Sequence, residues 1–131
     1  MDNRLQQVDE RLDFLLHGKP RAEYELFEYT PPSEETYSLV RQFLATVFEL
    51  APGLPRPGLY PTSSGAISIE WILEHVEAGL SHLGLEYDGT NPTVFDFITR
   101  LDYEAENLVD LTDPDSPRRF VKWLGTLNLK M

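Results

Sequence analysis

The chain has 131 residues, with 22 acidic against 11 basic side chains and a net charge of −11. That length fits one domain able to bury roughly two-thirds of its surface, and 41% hydrophobic with 11% aromatic residues argue for a packed core. The absence of cysteine excludes a disulfide framework, thiolate zinc sites and a cysteine nucleophile, and no run approaches the roughly 18 apolar residues of a membrane span.

Residues 3–17 carry Leu5, Val8, Leu12 and Leu15 at helical spacing, with Leu16 beside them and Arg4, Gln7, Glu10, Arg11 and Asp13 opposite. Asp2 or Asn3 can cap this helix, and Gly18 follows its end. The same spacing is a short heptad seam, so the stripe serves either the domain's own core or a second chain. The polar start, Met1 to Val8, lacks the apolar run of a secretory signal, and a cytoplasmic protein is expected.

Ala22, Tyr24 and Leu26 alternate with Glu23 and Glu25 in a weakly strand-like way until Pro31 and Pro32. A second helix is predicted from about Ser33, its N-cap, to Leu50. Glu34 and Glu35 lie at the positive end of its dipole, and Tyr37, Val40, Phe43, Leu44, Val47 and Phe48 form a broad apolar face. Pro52, Pro55, Pro57 and Pro61, with Gly53 and Gly58, then predict a stiff extended connector.

From Gly65 the apolar period becomes two. Ile67, Ile69, Trp71 and Leu73 share one face of a strand; Ser68, Glu70 and Ile72 share the other. A second strand is expected within Ala78–Tyr87, where Leu83, Leu85 and Tyr87 alternate with His82, Gly84 and Glu86. The turn signals Asp88–Gly89 and Asn91–Pro92 precede a third strand from Thr93 to about Arg100. Residues 101–115 read as strand or helix, and Ser116–Pro117 as N-cap and N1 of a last helix with Phe120, Trp123, Leu124 and Leu127 inward. The expected fold is α+β: two N-terminal helices, a three- or four-stranded antiparallel meander, and a C-terminal helix, as one domain over residues 1–131.

The stretch Gly65-x-Ile67-x-Ile69-Glu70-Trp71, followed by two further strands, resembles a pattern in small uncharacterised bacterial proteins. The resemblance covers about forty residues and implies the meander and a bacterial or phage origin; it carries over no catalytic residue.

Charge is distributed unevenly. Residues 70–115 hold twelve carboxylates and one base, Arg100, while residues 116–131 hold four bases and no acid. A field so concentrated repels nucleic acid and steers basic partners inward. No P-loop, dinucleotide fingerprint or nucleophile elbow is present around the scattered glycines or Ser63–Ser64. Glu70 beside Trp71 suggests a carboxyl raised by an indole for acid–base work, or else a solvent-facing acid next to a core anchor. His75 and His82 with Glu74 and Glu77 match no common metal-ligand spacing, and His17 complements a helix end.

The leading expectation is therefore a non-enzymatic acidic binding protein, without cofactor or metal, that neutralises a basic, nucleic-acid-handling protein. Immunity proteins, antitoxins and phage inhibitors of defence systems form that class. Glu86, Asp88, Asp102, Glu104, Glu106 and Asp110 are the expected acceptors for the partner's Arg and Lys. Direct nucleic-acid and membrane binding are not expected. The alternatives are an oligomeric or accessory subunit using the N-terminal heptads, and a small hydrolase built on Glu70, His75 and His82.

Overall fold

The computed structural model describes residues 3–17, 32–62, 65–76, 79–87, 93–97, 111–126 and 129–130, with backbone alone at 17, 75, 79–82 and 93–97. The described elements are α1 (Arg4–His17), α2 (Glu34–Leu50), β1 (Gly58–Pro61), β2 (Ile67–His75), β3 (Gly79–Tyr87), β4 (Thr93–Phe97) and α3 (Ser116–Leu124). The strands form one sheet in the order β1-β2-β3-β4, with every neighbouring pair antiparallel. This is the expected α+β meander with two helices before it and one after.

Each helix starts and stops for local reasons. Ser33 accepts the Thr36 N–H on its hydroxyl at 3.1 Å, and Glu34 and Glu35 occupy the first turn of α2. No basic residue of α2 itself lies in its last turn. Arg4 of α1 supplies one instead, donating to the carbonyls of Phe48, Ala51 and Leu54. For α3 the N-cap is Asp115, one residue earlier than Ser116, and Ser116 is itself buried within the helix. The Asp113 carboxylate precedes that cap, accepting the Asp115 N–H at 2.9 Å.

The connector between α2 and the sheet ends differently from its proline pattern. Gly58–Pro61 leaves the extended run and pairs with β2, Leu59 lying opposite Ile69. As an edge strand it needs pairing on one side only, which is where prolines are tolerated. The turn into β2 is closed by Thr62, whose hydroxyl accepts the Ala66 N–H and donates to the Ala66 carbonyl. Gly65 takes φ of +80° there, a conformation glycine adopts without steric cost. Beyond the end of β1, Lys130 continues the pairing by donating its N–H to the Glu74 carbonyl at 2.7 Å.

The three helices cover one face of the sheet. Ile67, Ile69, Trp71, Leu73, Leu83, Leu85 and Tyr87 are buried there, as their alternation predicts. Phe120 of α3 stands 5.3 Å from the Trp71 ring and 5.5 Å from Phe43 of α2, so one phenyl ties both helices to the central strand. Trp71 also donates its indole N–H to the Pro55 carbonyl at 3.0 Å, pinning the connector to β2.

Val8, Leu12 and Leu15 of α1 are buried in this same core. The heptad seam is therefore filled within the molecule. Arg41 of α2 clasps Asp9 of α1 with both ends of its guanidinium, at 2.7 and 3.2 Å. That hydrogen bond, and then the carboxylate's charge, raise the Arg41 pKa above its ordinary value.

Candidate functional site

Three of the described acids of residues 70–115, Glu70, Glu74 and Glu86, lie on the face of the sheet opposite the helices. On β2 the pleat that buries Ile69, Trp71 and Leu73 turns Ser68, Glu70, Ile72 and Glu74 the other way. On β3 the same alternation turns Glu86 outward, because Leu85 and Tyr87 point into the core. The register sets Ser68 opposite Glu86 and Glu70 opposite Gly84. Glu70 and Glu86 are thus diagonal neighbours, a separation of roughly 7–8 Å.

Ile72 lies between Glu70 and Glu74 with 68% of its surface exposed, the most open large apolar side chain among the described residues. Tyr60, 47% exposed, stands at the β1 edge of the same face, opposite Ser68. The described surface therefore combines three carboxylates with an aliphatic and an aromatic side chain. Like charges on neighbouring strands cost stability rather than adding it.

The basic tail meets part of the acidic block. Lys130 pairs with Glu74 at 3.2 Å, and Arg119 with Asp113 at 2.8 Å. The Asp115 N–H, and then Arg119, hold the Asp113 carboxyl below its ordinary pKa. The Glu86 side chain makes no hydrogen bond or ion pair with any described residue.

Of the six expected acceptors, Glu86 alone lies among the described residues, half-buried on this face. Asp88, Asp102, Glu104, Glu106 and Asp110 lie outside them, as do residues 101–110 of the strand-or-helix segment, the strand-like residues 22–28 and Leu127; residues 111–115, the rest of that segment, form turns and are neither strand nor helix. Glu74 and Ile72 were not singled out, although the alternation already placed Ile72 with Glu70. The missing information was register, which depends on the length of the hairpin turn after His75 and not on period alone.

The chemical alternatives fare differently. Trp71 is 1% exposed and faces the core, whereas Glu70 lies on the opposite face. The carboxyl and the indole are neighbours in sequence only. His75 pairs with Gly79 and His82 with Ile72, register positions of opposite parity in the pleat. Among the described residues no group of three or more His, Asp or Glu side chains is placed to hold a metal ion. No described helix is long and apolar enough to cross a membrane. The chain matches no family model, no curated protein and no solved structure at a significant level.

Proposed function

We propose that this chain is a non-enzymatic acidic binding protein that docks a basic, nucleic-acid-handling protein and neutralises it. The observation that carries the reading is the outward face of β2 and β3, where Glu70 and Glu74 flank the exposed Ile72 and Glu86 lies diagonal to Glu70. Carboxylates around an apolar centre suit a partner whose arginines and lysines flank an apolar contact. Arginine forks match carboxylates bidentately, and the apolar centre supplies burial that charge alone does not. The remaining carboxylates of residues 70–115 enlarge the negative field and accelerate encounter. Immunity proteins, antitoxins and phage anti-defence inhibitors are the proposed class.

Charge reversal tests this. Wild type and a Glu86→Lys, Asp102→Lys, Glu104→Lys, Glu106→Lys variant are immobilised and challenged with lysate of the native host. The reading expects a basic protein retained by wild type, eluted by salt, and lost from the variant. Identical retention by both, eluting at the same salt concentration, contradicts it.

A further inference from the structure

A second surface feature has the opposite sign. Between α1 and β1 lies a cavity of about 180 Å³ whose walls are Gln7, Arg11, Arg56 and Tyr60, over a floor that includes Val8 and Leu59. Gln7 and Arg11 are one helical turn apart on α1, so both side chains reach the same opening. No carboxylate lines it among the described residues, in a chain whose acids outnumber its bases two to one.

The two arginines at this opening keep donors that no described residue takes up. Arg41 and Arg119 are matched to carboxylates, and Arg4 to helix-end carbonyls. Arg11 donates only its Nε, to the Leu59 carbonyl at 2.9 Å, with its guanidinium 5.2 Å from the Phe14 ring centre. That single bond orients the fork and leaves both terminal nitrogens without a partner among the described residues. Arg56 is exposed and makes no hydrogen bond or ion pair with any described residue.

Tyr60 completes the wall through a local device. Its ring folds back over Gly58, so closely that a Cβ on residue 58 would stand 2.6 Å from the phenol oxygen. Glycine at 58 is what lets the hydroxyl stand at the cavity.

We propose that this cavity binds an oxyanion, the phosphoryl or carboxylate group of a small molecule, through Arg11 and Arg56. The Gln7 amide and the Tyr60 hydroxyl add donors. Two cations lining one concave site repel each other, and an anion bound there relieves that cost. The site does not depend on the proposed use of the acidic face.

The test is a titration of the isotope-labelled full chain with inorganic phosphate and, separately, with acetate, followed by amide resonances. Saturable shifts at Gln7, Arg11 and residues 56–60 are expected from at least one anion. Tighter saturation by phosphate assigns a phosphoryl ligand, and tighter saturation by acetate a carboxylate. Arg56→Gln removes no bond of the fold and should weaken binding about tenfold, the worth of one charge-assisted hydrogen bond. Gly58→Ala should weaken it by displacing the Tyr60 ring, whereas Arg118→Gln, an exposed arginine on α3, should leave it unchanged. Absence of saturation at these amides with either anion, or binding that survives Arg56→Gln, overturns the proposal.

Discussion

Arg4 holds Phe48 twice: its guanidinium donates to the Phe48 carbonyl at 2.9 Å and lies 4.5 Å from the centre of the Phe48 ring. With Ala51 and Leu54 also accepting from it, one side chain of α1 closes the C-terminal end of α2. The last carbonyls of a helix lack partners within it, and a cation there also complements the dipole. Arg4→Met keeps the apolar stem but removes every donor, and should destabilise the protein by about 2 kcal/mol. Urea unfolding measures it; a loss below about 0.5 kcal/mol would mean that water serves these carbonyls equally well.

Gly65 is the clearest backbone test. At φ of +80° in the β1–β2 turn, a Cβ adds strain that the Thr62–Ala66 bonds must bear. Gly65→Ala is expected to cost about 1 kcal/mol or more, and Gly65→Asn less, because asparagine tolerates that conformation better. Equal stability of all three proteins in thermal melts would exclude a strained turn.

The Trp71–Phe120 pair carries the junction of sheet and helix. Phe120→Ala empties a fully buried site between Phe43 and Trp71 and should cost about 3–5 kcal/mol. Trp71→Phe leaves much of the ring packing but deprives the Pro55 carbonyl of its donor, for a loss of about 1–3 kcal/mol. The indole is deep in the core, so its fluorescence in the wild type reports the same transition.

Asp113 gives a pH dependence whose sign follows from its neighbours. Its folded pKa is lowered by the Asp115 N–H and by Arg119, below the unfolded value of about 3.9. The stabilisation is therefore complete above the unfolded value and lost as pH falls through the folded one. Wild type should exceed Asp113→Asn in stability at neutral pH, with the gap closing as the solution becomes more acid than about pH 4. A gap unchanged between neutral and strongly acid solution would assign the difference to something other than ionisation.

How far the chain could be read in advance depended on the kind of signal. Period alone identified α1, α2 and the inward faces of β2 and β3, because Val8, Leu12 and Leu15 or Ile67, Ile69 and Trp71 repeat at one spacing with few interruptions. The edge strand Gly58–Pro61 was hidden by its own prolines, which signal a connector equally well. The cap of α3 falls one residue before Ser116 because Asp115 and Ser116 are both good cap residues, and the Arg119 N–H bond to the Asp115 carbonyl decides between them. Legibility of the candidate site was poorer still. Acidity is evident, but the placing of Glu86 beside Glu70 needs the β2–β3 register, and the pairing of Glu74 with Lys130 joins residues far apart in sequence.

Ile72 separates the acidic surface from mere solubility. At 68% exposure it contributes little to the core, so Ile72→Thr should leave stability within about 0.5 kcal/mol of wild type. Where the face docks a partner, the same substitution should weaken the complex, measured against the protein recovered from the host. Undiminished affinity would leave charge as the sole attraction.

Docking on the acidic face is tested by mapping where a cationic ligand settles. An arginine-rich peptide is titrated into the labelled chain while backbone amides are followed at two salt concentrations. Saturable shifts concentrated at Ser68, Glu70, Ile72, Glu74 and Glu86 are expected, weakening as salt rises. Shifts spread evenly over the helical side, or none at the outward positions of β2 and β3, would contradict it.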